Sequence, residues 1–151
     1  MTLDPEHYEG LAGFRQALRR FLAASEAISR RAGITQQQYQ AILAIRTWPS
    51  DSMAMKDLSE QLLLTHHAAV QQVNRLAKAG LVERTPSSTD RRSVILKLSR
   101  DGEALVDALA ARHLEEILRQ EPLLAKSLRQ LRRIAADNGP GADRPPQRPE
   151  N

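Results

Sequence analysis

Apolar side chains recur at steps of three and four through Leu11, Phe14, Leu18, Phe21 and Ile28, with Ser25 taking one step of the series. That spacing puts them on one face of an α-helix. Asp4 and Pro5 suit its start, because the carboxylate accepts from free backbone N–H groups and proline has no N–H to leave unpaired. Gly33 suits its end. Thr35 and Gln38 have capping-box spacing. A second helix follows with Tyr39, Ile42, Leu43 and Ile45 turned inward, and it stops at Trp48-Pro49. Residues 50–52 form a loop, and a short third helix covers roughly 55–62 around Leu58 and Leu62. Thr65 caps a fourth helix over 66–79, with Ala69, Val73 and Leu76 inside and Gly80 at its end. Two adjacent helices with a tight connection read as a helix-turn-helix.

The period then changes from 3.6 to two. Residues 81–85 are strand-like, residues 86–90 are dense in turn formers, and Val94, Leu96 and Leu98 alternate within 93–98. A hairpin directly after a helix pair is the order of a winged helix-turn-helix. Ser99 caps a long helix running to about 120 that carries Leu105, Leu109, Ile117 and Leu118. Pro122 fits the start of a last helix with Leu124, Leu128, Leu131 and Ile134 as its stripe. From Asn138 the chain is rich in glycine and proline and has no large apolar residue, which predicts disorder. The fold class is therefore mainly α with a small β-hairpin wing. The organisation expected is an N-terminal dimerisation helix (1–34), a winged helix-turn-helix (35–99), C-terminal dimerisation helices (100–137) and a disordered tail (138–151). On the residues alone, the stripes of the first and last helices either close an intrachain bundle or meet a second chain.

Composition narrows the chemistry. The 151 residues include no Cys, which excludes disulfides, thiolate metal sites, a cysteine nucleophile and thiol-based sensing. His7, His66, His67 and His113 have no metal-ligand spacing, so no metal or other cofactor is expected. There is no nucleophile paired with a base in a motif and no phosphate-cradling glycine loop, so no enzyme is expected. No apolar run approaches the roughly 20 residues that span a bilayer. The acidic N-terminus lacks the pattern of a signal peptide, so a cytoplasmic location is expected. The formal net charge is +4, and its distribution is uneven: residues 65–100 hold seven basic and two acidic residues, a net +5. Such a patch is the footprint of a polyanion partner, although a solvated face or an anionic membrane surface would carry the same charge. The helix-turn-helix around it favours DNA.

The run Asp90-Arg91-Arg92-Ser93-Val94-Ile95-Leu96-Lys97-Leu98-Ser99 closely resembles the wing signature D-x-R-x-x-x-L-x-L-T of the MarR family of bacterial transcription regulators. Ser99 stands where the signature has Thr, and both can cap the next helix. The run from Val73 to Arg84, with Leu76, Gly80 and Val82, is similar to the family's recognition helix and the strand after it. The resemblance covers roughly residues 6–137. It implies a triangular homodimer, with the N-terminal and two C-terminal helices of each subunit interlocked and two winged domains at the corners. It also implies a repressor of a pseudo-palindromic double-stranded operator, with half-sites about one helical turn apart, that a small aromatic or anionic effector releases. Arg92 matches the family arginine that enters the minor groove from the wing, and Asp90 matches the acid that orients it. An alternative reading of the residues is a salt bridge that merely pins the hairpin.

On the fourth helix the inner residues leave His66, His67, Val70, Gln71 and Asn74 outward. Gln71 is the first candidate for a base contact, because an amide can pair two-fold with adenine, and His67 and Val70 come next. Thr65, Asn74, Arg75, Arg84 and Arg91 are better suited to phosphates. Phe14, Arg15, Tyr39, Trp48 and His113 are candidates for an effector pocket, or, for the aromatic rings, ordinary core. Three positions depart from pattern. Gln72 is expected to face the dimerisation helices. Ala54 lacks a cap worth about 1 kcal/mol. One of Leu63 and Leu64 is expected to be buried. The competing function is a winged-helix protein-interaction module without specific DNA binding.

Overall fold

A computed structural model describes residue 3, residues 5–90 and residues 92–137, with side chains through residue 133. The expectations for Asp4, Arg91, Ile134 and the tail from 138 lie outside that description. Among the described residues, five helices and three strands follow in the order α1 (Pro5–Arg31), α2 (Gln36–Thr47), β1 (Met53–Ala54), α3 (Met55–Gln61), α4 (His66–Lys78), β2 (Val82–Pro86), β3 (Val94–Leu98) and α5 (Arg100–Asp137). A 3-10 turn at Pro49–Asp51 separates α2 from β1. Helices α1 and α5 each contribute to two compact units. One comprises residues 24–115, and the other comprises residues up to 23 together with those from 116 onward.

The larger unit is the winged helix-turn-helix. Its core gathers Ile42 and Ile45 of α2, Met53, Leu58 of α3, Val73 and Leu76 of α4, Val82, Leu96 of β3, and Val106 and Leu109 of α5. Replacing one of the fully buried leucines by Ala is expected to cost about 2–5 kcal/mol. The capping box before α2 forms as expected: Thr35 Oγ1 accepts from the Gln38 N–H at 3.1 Å, and Gln38 Oε1 accepts from the Thr35 N–H at 2.8 Å. Ala54 has no side-chain oxygen to cap α3, but Asp57 supplies half of a box by accepting from the Ala54 N–H at 2.8 Å.

The sheet order is β1-β3-β2, antiparallel throughout. The hairpin registers Val82 with Leu98 and Arg84 with Leu96, so Val82 and Leu96 point to the core together. The third strand, β1, has only two residues, paired as Met53 with Leu96 and Ala54 with Ile95. It is too short to show a period in the sequence.

Gln72 corrects an expectation. It is buried, and its Nε2 donates to Oε1 of Gln37 on α2 at 2.9 Å, so it faces the winged core and not the dimerisation helices. Of the two leucines in the turn, Leu64 is half-buried, whereas Leu63 is 93% exposed with φ 52.

In the smaller unit, small residues close the packing. A Cβ on Gly13 would meet Ser127 Oγ at 2.8 Å, and one on Gly10 would meet Leu131 Cδ2 at 3.2 Å. Up to residue 23 the buried α1 positions are His7, Gly10 and Ala17, while Tyr8, Leu11, Leu18 and Leu22 are exposed. Of the two readings of the α1 stripe, closure within the chain and cover by a second chain, the exposure of Leu11 and Leu18 fits the second. On α5, Leu114, Ile117, Leu118 and Leu128 are exposed as well. The expected helix break at Pro122 is also absent: α5 runs 38 residues with the proline inside it. Proline removes one i→i−4 bond from a helix interior. Here Pro122 and Leu118 are both exposed, so water can replace the missing donor.

Candidate nucleic-acid interface

Helix α4 is positioned by its apolar face and by its ends. Ala69, Val73 and Leu76 are fully buried. Thr65 Oγ1 accepts from the Ala68 N–H at 3.2 Å and starts the helix. Gly80, at φ 73, turns the chain out of it in a conformation that favours glycine. The same burial that fixes the helix leaves its other face in solvent. Thr65, His66, His67, Gln71, Asn74 and Arg75 are exposed there, and Val70 is half-buried. The sequence-derived candidates on this helix thus lie together on one accessible face.

Two pairs on this face are already organised. Gln71 Nε2 lies 3.1 Å from His67 Nε2, one turn away. Arg84 Nη2 on β2 donates to Asn74 Oδ1, which ties the hairpin to the helix. Sequence reasoning assigned Asn74 and Arg84 separately to phosphates and missed their contact. The ten-residue separation and the turn between them hide it.

The wing turn is held by its own side chains. Ser87 N–H donates to the Ser93 carbonyl, and Ser93 N–H to the Asp90 carbonyl, each at 3.0 Å. Ser87 Oγ accepts from the N–H groups of Thr89 and Asp90, both at 3.3 Å. Asp90 Oδ1 accepts from the Arg92 N–H at 2.9 Å. The acid therefore shapes the backbone that carries Arg92. Arg92 itself is exposed. Ser87 was not singled out from the sequence, although an Asx- or Ser-based turn is the ordinary use of such residues. Behind the wing, Ser99 Oγ donates to the Gly80 carbonyl at 2.6 Å and accepts from the Gly102 N–H at 3.0 Å. One hydroxyl thus joins the end of α4, the end of β3 and the start of α5.

The matching model of the MarR family covers residues 32–93, the helix-turn-helix and the wing turn. The chain is 30% identical over 135 residues to the HTH-type transcriptional regulator FarR of Neisseria gonorrhoeae, spanning 85% of this chain and 91% of that protein. This chain belongs to the MarR family. Within the family it is also 35% identical over 72 residues to the organic hydroperoxide resistance transcriptional regulator of Bacillus subtilis, 48% of each protein. The fold of AbsC, a MarR family regulator from Streptomyces coelicolor, superposes with a TM-score of 0.73 at 20% identity over 89% of this chain and 93% of that one. A mutant MarR from E. coli in complex with operator DNA superposes with a TM-score of 0.65 at 22% identity, covering 83% and 90%. The winged helix-turn-helix and the membership in a family of DNA-binding regulators therefore agree with the sequence.

The effector candidates are not all brought together. Tyr39 and His113 stack with ring centroids 4.0 Å apart and planes 5° from parallel. His113 Nε2 lies 2.8 Å from Ser25 Oγ, and its Nδ1 lies 2.8 Å from the Leu109 carbonyl. A carbonyl only accepts, so Nδ1 carries a proton. Burial raises the Tyr39 phenol above its ordinary value of 10.0. Trp48 borders a separate open groove with Ala44, Thr47, Pro49, Ser52 and Gln61. Phe14 is half-buried and Arg15 exposed, both on the part of α1 in the smaller unit. Among the described residues no cluster of three metal-ligating side chains occurs, and no helix is long and apolar enough to cross a membrane.

Proposed function

We propose that the chain is a homodimeric, sequence-specific regulator that represses transcription by binding a pseudo-palindromic operator and leaves it when a small aromatic or anionic molecule binds. The observation that carries this reading is the outward face of α4. His66, His67, Val70 and Gln71 lie there for the major groove, and Thr65, Asn74, Arg75 and Arg84 flank them for phosphates. The wing adds Arg92 for the minor groove, where a narrow groove concentrates negative potential, with Arg91 for phosphate and Asp90 shaping the loop. Residues 35–99 read DNA, and 1–34 with 100–137 form the dimer. The exposed leucines of α1 and α5 support a second copy as their cover. Phe14, Arg15, Tyr39, Trp48 and His113 remain the candidates for effector contact. A DNA partner implies a cytoplasmic protein that acts by binding and not by catalysis.

The test is binding to the stretch upstream of the protein's own gene across a salt series, with wild type and Arg92→Ala side by side. Steep loss of affinity with salt is expected, together with a loss of about 1–3 kcal/mol per half-site in the variant. Weak binding that is equal on random DNA and indifferent to Arg92 would contradict the reading.

A further inference from the structure

The hydrogen bond between Gln71 and His67 constrains what the outward face of α4 can read. An amide nitrogen only donates. The ring nitrogen that meets Gln71 Nε2 at 3.1 Å is therefore the acceptor of this pair. One N–H of Gln71 is used in this bond. Its second N–H and its Oε1 remain, side by side, as one donor and one acceptor. Both residues are exposed, so the pair is not a device for satisfying buried polar groups.

An unrestrained glutamine amide turns over freely, so it can show its donors to one base and its acceptor to another. Held by His67, Gln71 offers donor and acceptor together. Adenine is the complement, with its N6 amino donor beside the N7 acceptor in the major groove. Guanine shows two acceptors there, N7 and O6, and would leave Gln71 Oε1 facing an oxygen. The next amide on the same face is fixed in the opposite sense. There Asn74 Oδ1 accepts from Arg84, so the bond holds the oxygen end of the amide and not its nitrogen.

We propose that His67 is a positioning residue for base reading: it fixes the Gln71 amide so that each half-site is read for adenine at one position. This rests on the DNA-reading role of α4 proposed above.

The experiment is selection of duplexes from a randomised library by the full chain, comparing wild type with Gln71→Ala, His67→Ala and His67→Gln. The position in question is the one whose preference Gln71→Ala removes. Wild type is expected to favour adenine over guanine there by roughly tenfold or more. His67→Ala should cut that ratio to about two- or threefold while the melting temperature stays as it is. His67→Gln, which again offers Gln71 an acceptor one turn away, should restore it. Guanine or thymine favoured by wild type, an unchanged ratio in His67→Ala, or no position altered by Gln71→Ala would each overturn the assignment while leaving DNA reading intact. A wild type that selects no sequence would overturn both.

Discussion

A Cβ built on Gly102 would stand 2.1 Å from the carbonyl oxygen of Leu81. That oxygen also accepts from the Ser99 N–H at 3.0 Å, so neither strand end nor helix start is free to retreat. Gly102→Ala is expected to destabilise the fold by at least about 2 kcal/mol, read from urea denaturation. A midpoint equal to wild type would mean that α5 can shift at its first turn without cost.

Ser25 and His113 make a buried pair whose value lies in mutual satisfaction. Ser25→Ala leaves the His113 Nε2 without its partner and should cost about 1–3 kcal/mol. The double variant Ser25→Ala with His113→Phe should recover most of that loss, since both polar partners go together. Additive losses in a double-mutant cycle would show that the hydrogen bond contributes nothing.

Tyr39 sets an alkaline limit. Its phenol is held above 10.0 by burial, so the folded chain keeps the proton longer than the unfolded one. The associated stability is fully present below pH 10.0 and is lost as pH rises past it through the folded value. Tyr39→Phe should flatten the decline of melting temperature above pH 10.0, and a variant curve parallel to wild type there would refute the assignment.

Leu63 combines φ 52 with 93% exposure at the C-terminal end of α3. Left-handed backbone costs a non-glycine residue about 1–2 kcal/mol, and little apolar burial offsets it here. Leu63→Gly should leave stability unchanged or raise it by up to about 1 kcal/mol. The β-branched Leu63→Val should lower it. Thermal melts of the two variants falling in the reverse order would rule out backbone strain at this position.

Leu114 and Leu118 stand one turn apart on α5, 57% and 62% exposed. If a second copy covers them, each contributes about 1.5–3 kcal/mol to association. Leu118→Glu should then weaken the dimer by at least about tenfold in sedimentation equilibrium. A variant that still dimerises as wild type would place the interface elsewhere.

Much of the winged unit was legible because its signals are local. Thr35 with Gln38, the spacing of Ala69, Val73 and Leu76, and the alternation in β3 each specify an element within a few residues. The wing run carried the family as well. What the sequence hid depends on tertiary partners. The two-residue strand at Met53 exists only because β3 has a free edge. Gln72 is buried beside α2, where its amide nitrogen meets Gln37, a partner 35 residues away. On α1 the periodic leucines left open which surface would cover them, and the glycine and alanine that pack within the chain lie off that stripe. Pro122 signalled a boundary that an exposed helix surface does not require. At the interface, the outward residues of α4 could be deduced by subtraction from the core, but the pairings of His67 with Gln71 and Asn74 with Arg84 could not.

The bond from Arg84 to Asn74 joins the hairpin to α4, so under the role proposed above the two would meet DNA as one head. If α4 enters the major groove and the wing the minor groove, as proposed, the two contacts keep a fixed offset along the duplex. An operator can tolerate a change between its half-sites more easily than one within a half-site, because only the first can be absorbed by moving whole heads. One extra base pair inside a half-site puts either α4 or the wing tip out of phase by about a tenth of a helical turn. On that reading the grammar of the operator is set by a distance in the protein, and not only by a set of preferred bases.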